Sequence, residues 1–232
     1  MLQSTEFWSA IVGAIVGGAI TFLSQWIAFR EQRKQLAQEL LRANQSLATA
    51  VLLKLMRIHS NFIQIMEHIE DCLTAGAQHG IVGEPWQMVL PLASVPDQVA
   101  YSPEEMSLLL SLGDFDAFHL TVDLDVRHNS LIEALRMMSA QRLALGEQIA
   151  AFVSADLISG SRLGAILTSE QLQRVRPKMI EVNSLIERIH ELSKENSDSS
   201  KGAINKVSQL FREKLALTYR VELKSAAKSK SQ

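Results

Sequence analysis

Phe7–Phe29, FWSAIVGAIVGGAITFLSQWIAF, is the stretch whose reading decides the fold. It holds no charged residue and matches the ~20 apolar residues that carry a helix across a bilayer. Glu6 marks one edge and Arg30 the other, with Arg33 and Lys34 just beyond. Trp8 and Trp26 lie near the two ends, where amphipathic rings anchor at headgroup level. The stretch reads as one transmembrane helix. A cleaved signal peptide is the rival reading. Against it stand the missing Lys or Arg ahead of the run, its length, and the charged helical pattern that follows in place of a small-residue cleavage site. No basic residue precedes the span and Arg30, Arg33 and Lys34 follow it, so the C-terminal part is expected on the cytoplasmic side.

The span has two unlike faces. At ~100° per residue, Glu6, Ala10, Gly13, Ala14, Gly17, Gly18, Thr21, Ser24, Gln25 and Ala28 form one arc. Trp8, Ile11, Val12, Ile15, Phe22, Leu23 and Trp26 form the other, and only Phe7 intrudes on the small one. A lone anchor surrounded by lipid needs no such partition. Small residues let helices approach closely, and Gly13-xxx-Gly17 has the spacing of helix association. Two readings stay open: a packed homodimer or plain anchor, and a ring of helices around a polar path. Thr21, Ser24 and Gln25 are costly in lipid and useful facing water, which is the case for the second. The assembly or pore face is therefore Gly13, Gly17, Gly18, Thr21, Ser24 and Gln25.

The remaining chain is enough for one helical domain. Cys72 is the single cysteine, which excludes a disulfide framework and a Cys-based zinc site and suits a reducing compartment. Charge is segregated along the chain. Arg30–Arg57 carries six Lys/Arg against two Glu, Ile58–Val126 carries eleven Asp/Glu and no Lys or Arg, and the rest carries seventeen Lys/Arg against eleven Asp/Glu. The middle block would repel a polyanion and the C-terminal block would tolerate one. Alternatively, the oppositely charged blocks face each other inside a bundle.

From Arg30 to Ala75 there is neither Pro nor Gly, and apolar residues recur in threes and fours through Leu36, Leu40, Leu47, Val51, Leu55 and Ile58 to Cys72. Asn44 fills the one gap, as a polar seam position or a solvated Asn. The membrane helix is thus expected to continue into a long cytoplasmic helix, a rod on the order of 100 Å unless it breaks below the membrane. Gly76–Pro103 has three Gly and four Pro and excludes a long helix, yet its apolar residues should lie against the bundle or a neighbouring subunit. Ser102-Pro103-Glu104-Glu105 starts a helix that Gly113 stops. Asp114 caps a long amphipathic helix to about Ile158. Another runs from near Thr168 to about Glu195, kinked or restarted at Pro177. Asn196–Gly202, NSDSSKG, reads as a loop, and Ala203 to about Lys224 as the last helix. The expected fold is all-α: a transmembrane segment over 1–29, a cytoplasmic helical bundle over 30–224, and a disordered basic tail over 225–232.

No enzyme or cofactor motif is present: no P-loop, no Gly-rich dinucleotide turn, no G-x-S-x-G and no H-E-x-x-H. Glu67, His68, Asp71 and Cys72 have helical spacing for a metal, but two ligands make no site and Cys72 falls on the apolar seam, so no metal is assigned. Asp114, Asp116, His119, Asp123 and Asp125 read as an acidic helix surface. The basic residues point elsewhere. Arg174, Arg176 and Lys178 crowd Pro177, where a restarted helix would add backbone N–H groups for phosphate. Phe211-Arg212 and Tyr219-Arg220 pair aromatics with cations, as single-strand binders do. The candidate nucleic-acid-binding set is Arg174, Arg176, Lys178, Arg212 and Arg220.

Two function classes fit: an oligomeric membrane effector controlled by a cytoplasmic ligand, and a membrane-anchored coiled-coil scaffold without channel activity. In the order of its parts the chain resembles the Hailong-type membrane effectors of bacterial anti-phage defence. The resemblance rests on the span FWSAIVGAIVGGAITFLSQWIAF, the long helix after it and an all-helical domain of matching size. It covers the whole chain in outline and includes no diagnostic motif, so no family residue is carried over. It implies a tetrameric inner-membrane channel that depolarises the cell. It also implies a ligand, single-stranded oligo-deoxyadenylate made by a nucleotidyltransferase partner, that holds the channel shut.

Overall fold

The computed structural model describes residues 3–80, 83–152 and 167–218, with side chains of the first helix described at 17, 18 and from 21 onward. The elements in order are α1 (Gln3–Gln78), α2 (Pro85–Met88), α3 (Pro103–Ser111), α4 (Phe115–Ala150) and α5 (Ser169–Leu215). The fold is all-α. The chain divides into two units, Met1–Leu47 and Ala48–Gln232, and α1 contributes to both.

In the unit Met1–Leu47 every side chain from residue 21 to 43 is exposed, including Phe22, Trp26, Phe29, Leu36 and Leu40. Two cations fold back on aromatics: the Arg30 guanidinium lies 5.7 Å from the Trp26 ring centroid and that of Arg33 4.4 Å from Phe29. Among the described residues no helix is long and apolar enough to cross a membrane. Most of the candidate span, residues 7–16, 19 and 20, lies outside the described side chains.

The unit Ala48–Gln232 is built on three long helices. His59 and Glu70 of α1 meet Ser200 and His190 of α5, so those two run antiparallel. Asn61 of α1 meets His128 of α4, while Arg127 and Gln141 of α4 meet Asn196 and Glu181 of α5. The inward row of α1 is Val51, Leu55, Ile58, Phe62, Ile65 and Ile69, at most 2 % exposed, so its heptad seam is filled from within the chain.

Because α4 parallels α1 here, residues 83–114 must travel back along the bundle. They do so as a strap: the Leu90 carbonyl accepts from His68 Nε2, Asp97 pairs with Arg57, and Glu105 pairs with Lys54. The strap is pinned by Asn129, whose side chain bonds both the N–H and the carbonyl of Val99. It ends in α3, where Ser102 and Glu105 form a capping box with Pro103 at the first turn. Gly113, at φ +77°, then turns the chain, and the Asp114 side chain accepts from Ala117 N–H to start α4. The acidic middle block thus does face basic neighbours from both flanking blocks, with Lys206 reaching Asp114 and Asp116 from α5.

The expectations for the C-terminal half need correcting in three places. Pro177 neither ends nor restarts the helix: α5 is capped by Thr168 and continues through it. Pro177 is exposed, so water can reach the carbonyl its missing N–H leaves unpaired. Asn196–Gly202 is helical, not a loop. Ser193 and Ser199 donate to the carbonyls four residues back, and buried Asn196 and Ser200 bond across the bundle. Small side chains let α5 approach its neighbours, and tertiary packing overrides weak helix propensity. The helix ends at Leu215, with Ala216 in the left-handed conformation, so it stops short of the expected end near Lys224; residues 219–232, with the tail over 225–232, lie outside the described residues.

Candidate functional site

Gly17, Gly18, Thr21, Ser24 and Gln25 of the small face all lie exposed on α1, and the Gly13 side is outside the described side chains. A Cβ on Gly17 or Gly18 would meet nothing within 4 Å. Nothing in the described chain therefore requires glycine there, although each glycine weakens a helix by roughly 1 kcal/mol relative to Ala. The Thr21 hydroxyl donates to the Gly17 carbonyl at 2.8 Å. That bond satisfies the hydroxyl within the helix, so Thr21 costs less in lipid than its side chain alone suggests.

The basic candidates fall on one helix but not at one place. Arg174 and Lys178 are one turn apart on α5, and Arg176 lies on a different side. Arg174 is held by Glu170 at 2.7 Å, whereas Arg176 and Lys178 are exposed without a carboxylate partner among the described residues. Arg212 is also exposed, but at 1.5 Å per residue it is about 50 Å along α5 from Lys178. Arg220 is outside the described residues. The helix start that was to supply N–H groups beside Pro177 is absent, because the N-cap is Thr168. Phe211 is fully buried, so it is core and offers no stacking platform.

The structure brings together a set the sequence did not mark: a polar layer across the middle of the bundle. His128 is fully buried, with Nε2 2.9 Å from Asn61 Nδ2 and Nδ1 3.1 Å from Asn129 Oδ1. Val99 N–H already donates to Asn129 Oδ1, which makes that oxygen an acceptor. His128 therefore carries its proton on Nδ1, and its Nε2 accepts from Asn61. His59 is arranged alike. The Ser200 hydroxyl donates to the Ser197 carbonyl, so it accepts from His59 Nδ1 at 2.8 Å. Burial pushes both histidines below the ordinary imidazole range.

A group whose folded pKa is depressed binds fewer protons folded than unfolded just below its unfolded pKa. Stability from these two histidines is thus complete above about pH 6.5 and lost as pH falls from there towards their folded values, at up to about 1.4 kcal/mol per pH unit each. Burial raises the Asp125 carboxyl, which acts in the opposite sense but over the more acidic carboxylate range. Urea unfolding followed by circular dichroism should give a lower midpoint at about pH 5.5 than at about pH 7.5, and His128→Gln should shrink that difference.

Two further features are surface ones. A shallow hollow of about 670 Å³ is lined by Asp116, His119, Leu120, Val122, Asp123 and Lys206, whose charges already pair through Lys206–Asp116 and Arg127–Asp123. His68 Nε2 lies 2.8 Å from the Leu90 carbonyl and 3.8 Å from Cys72 Sγ, so it fastens the strap. Among the described residues no three His, Cys, Asp or Glu side chains come together as a metal site.

Sequence reading passed over Arg142. It sits half-buried on α4, and its Nε donates to the Trp86 carbonyl at 3.0 Å. The signal was available: a cation at an apolar seam position. Compared with protein-family models, curated proteins and solved structures, the chain finds no match.

Proposed function

We propose that the protein is an oligomeric single-pass membrane effector, an ion channel or pore of bacterial anti-phage defence controlled by a cytoplasmic oligonucleotide. The observation that carries the reading is α1. Its residues 21–29 hold Phe22, Leu23, Trp26, Ile27 and Phe29 out from the helix, more than half exposed, and Arg30 and Arg33 stack beside the last aromatics. Such a surface is unstable in water, and stacked cations at its end suit a membrane–water boundary. Continuity with the uncharged residues from Phe7 supplies the length of a span. The small arc through Gly17 and Thr21 supplies the approach face for a ring of copies. The domain from Ala48 onward would sit at the inner face and carry the ligand.

A second reading has its own support. Leu36 and Leu40 are exposed one turn apart beyond the basic residues, as the seam of a coiled-coil scaffold would be. The mass of the full chain purified in detergent, taken with its absorbance ratio for protein and nucleic acid, separates the two. The effector reading expects a closed ring of more than two copies with co-purifying nucleic acid. A dimer free of nucleic acid favours the scaffold.

A further inference from the structure

The inward face of α4 runs Leu131, Leu135, Met138, Arg142 and Leu145, alternating steps of four and three. Four of these are buried and apolar, and the fifth is a guanidinium. Half-burying a cation is unfavourable unless a carboxylate answers it. No carboxylate among the described residues pairs with Arg142; its hydrogen bond goes to a carbonyl through Nε and leaves both terminal nitrogens without a partner there. Burial pushes the guanidinium down, with only the Cys72 thiol acting against it.

A hollow of about 490 Å³ opens beside it, lined by Trp86, Pro91, Arg142, Leu143, Gly146 and Glu147. That size falls within the ~300–1,000 Å³ of small-ligand sites, and apolar walls with a few charged groups are their usual make-up. Gly146 is inside α4, and a Cβ there would meet nothing within 4 Å. Neither packing nor backbone demands glycine at this place, though Ala would favour the helix. The cation without a counter-charge and the glycine without a neighbour border the same space.

We propose that this hollow binds one nucleotide unit, its phosphate on Arg142, its base against Trp86 and Pro91, and Glu147 accepting from a base amino group. The inference rests on the nucleotide-controlled reading above and places the contact on α4 and the strap. A planar fork suits phosphate, and an indole face suits any base. The strap is the segment that crosses the bundle, so a ligand held between Trp86 and Arg142 would fasten it to α4.

The test uses the full chain in detergent, with Trp8 and Trp26 changed to Phe so that Trp86 is the only tryptophan. AMP and a labelled mixed-sequence oligodeoxynucleotide are titrated, read by Trp86 quenching and by anisotropy. Arg142→Gln removes the cation, and Gly146→Phe fills the hollow from a position where the fold has room; unchanged unfolding midpoints verify that both are folded. Binding should weaken about tenfold or more in each and persist in Arg174→Glu/Arg176→Glu. Binding kept by both hollow variants and lost in the double Glu variant overturns the hollow while leaving nucleotide control standing. No binding of either probe by the parent overturns nucleotide control and the hollow together.

Discussion

Phe62→Ala should lower the unfolding free energy of the helical unit by about 3–5 kcal/mol, the largest stability effect expected of a single truncation here. Phe62 is fully buried in the inward row of α1 and packs edge-to-face on His128, ring centroids 5.7 Å apart at 72°. The change removes a large apolar surface and leaves a cavity that surrounding helices cannot close without moving. A domain of this size has only about 5–15 kcal/mol of net stability, so the loss takes a large share. The cavity would border Asn61 and His128, polar enough to admit water. Hydrating His128 relieves the burial that depresses its pKa, so the acid sensitivity of unfolding should shrink as overall stability falls. Urea unfolding at two pH values measures both. A loss under 1 kcal/mol would mean the bundle repacks around the site and the fully buried core is not as described.

Gly17→Leu should abolish membrane depolarisation while leaving the protein in the membrane, the largest functional effect expected. A Cβ at Gly17 would meet nothing within 4 Å among the described residues, and leucine favours the helix. Hydrophobic length is preserved and insertion should be unaffected. Among the described residues nothing stands in the way of the new bulk, so the surface it offends is the one the small face is proposed to meet. Thr21→Leu tests the other part of the face: its hydroxyl is satisfied by Gly17, so assembly should survive while any polar path dries. Membrane fractionation is the control for both. If Gly17→Leu assembles and conducts like the parent, helices do not meet at this face.

The helical plan was legible where local signals agreed with packing. Ser102 and Glu105 announced α3, Gly113 its end, and Asp114 the start of α4, because caps and left-handed glycines act within a few residues. Asn196–Gly202 misled for the converse reason. Its Ser, Asn and Gly content favours a turn, but His59 and Arg127 lie far away in sequence and recruit Ser200 and Asn196 into the bundle. Pro177 misled because exposure makes a missing N–H inexpensive. Arg174 and Arg212 belong to separate sequence features, and one continuous α5 keeps them apart in space. Arg142 interrupts the apolar row of Leu135, Met138 and Leu145, and a charged residue there breaks the periodicity that marks an inward face.

If copies of α1 form the proposed ligand-controlled path across the membrane, a potential-sensitive dye will register it. Cells producing the full chain without its ligand should depolarise on induction, and cells producing Gly17→Leu at equal membrane abundance should keep their potential. If the wild-type chain never changes the membrane potential under any inducing condition, infection included, the path does not exist and the small face only packs.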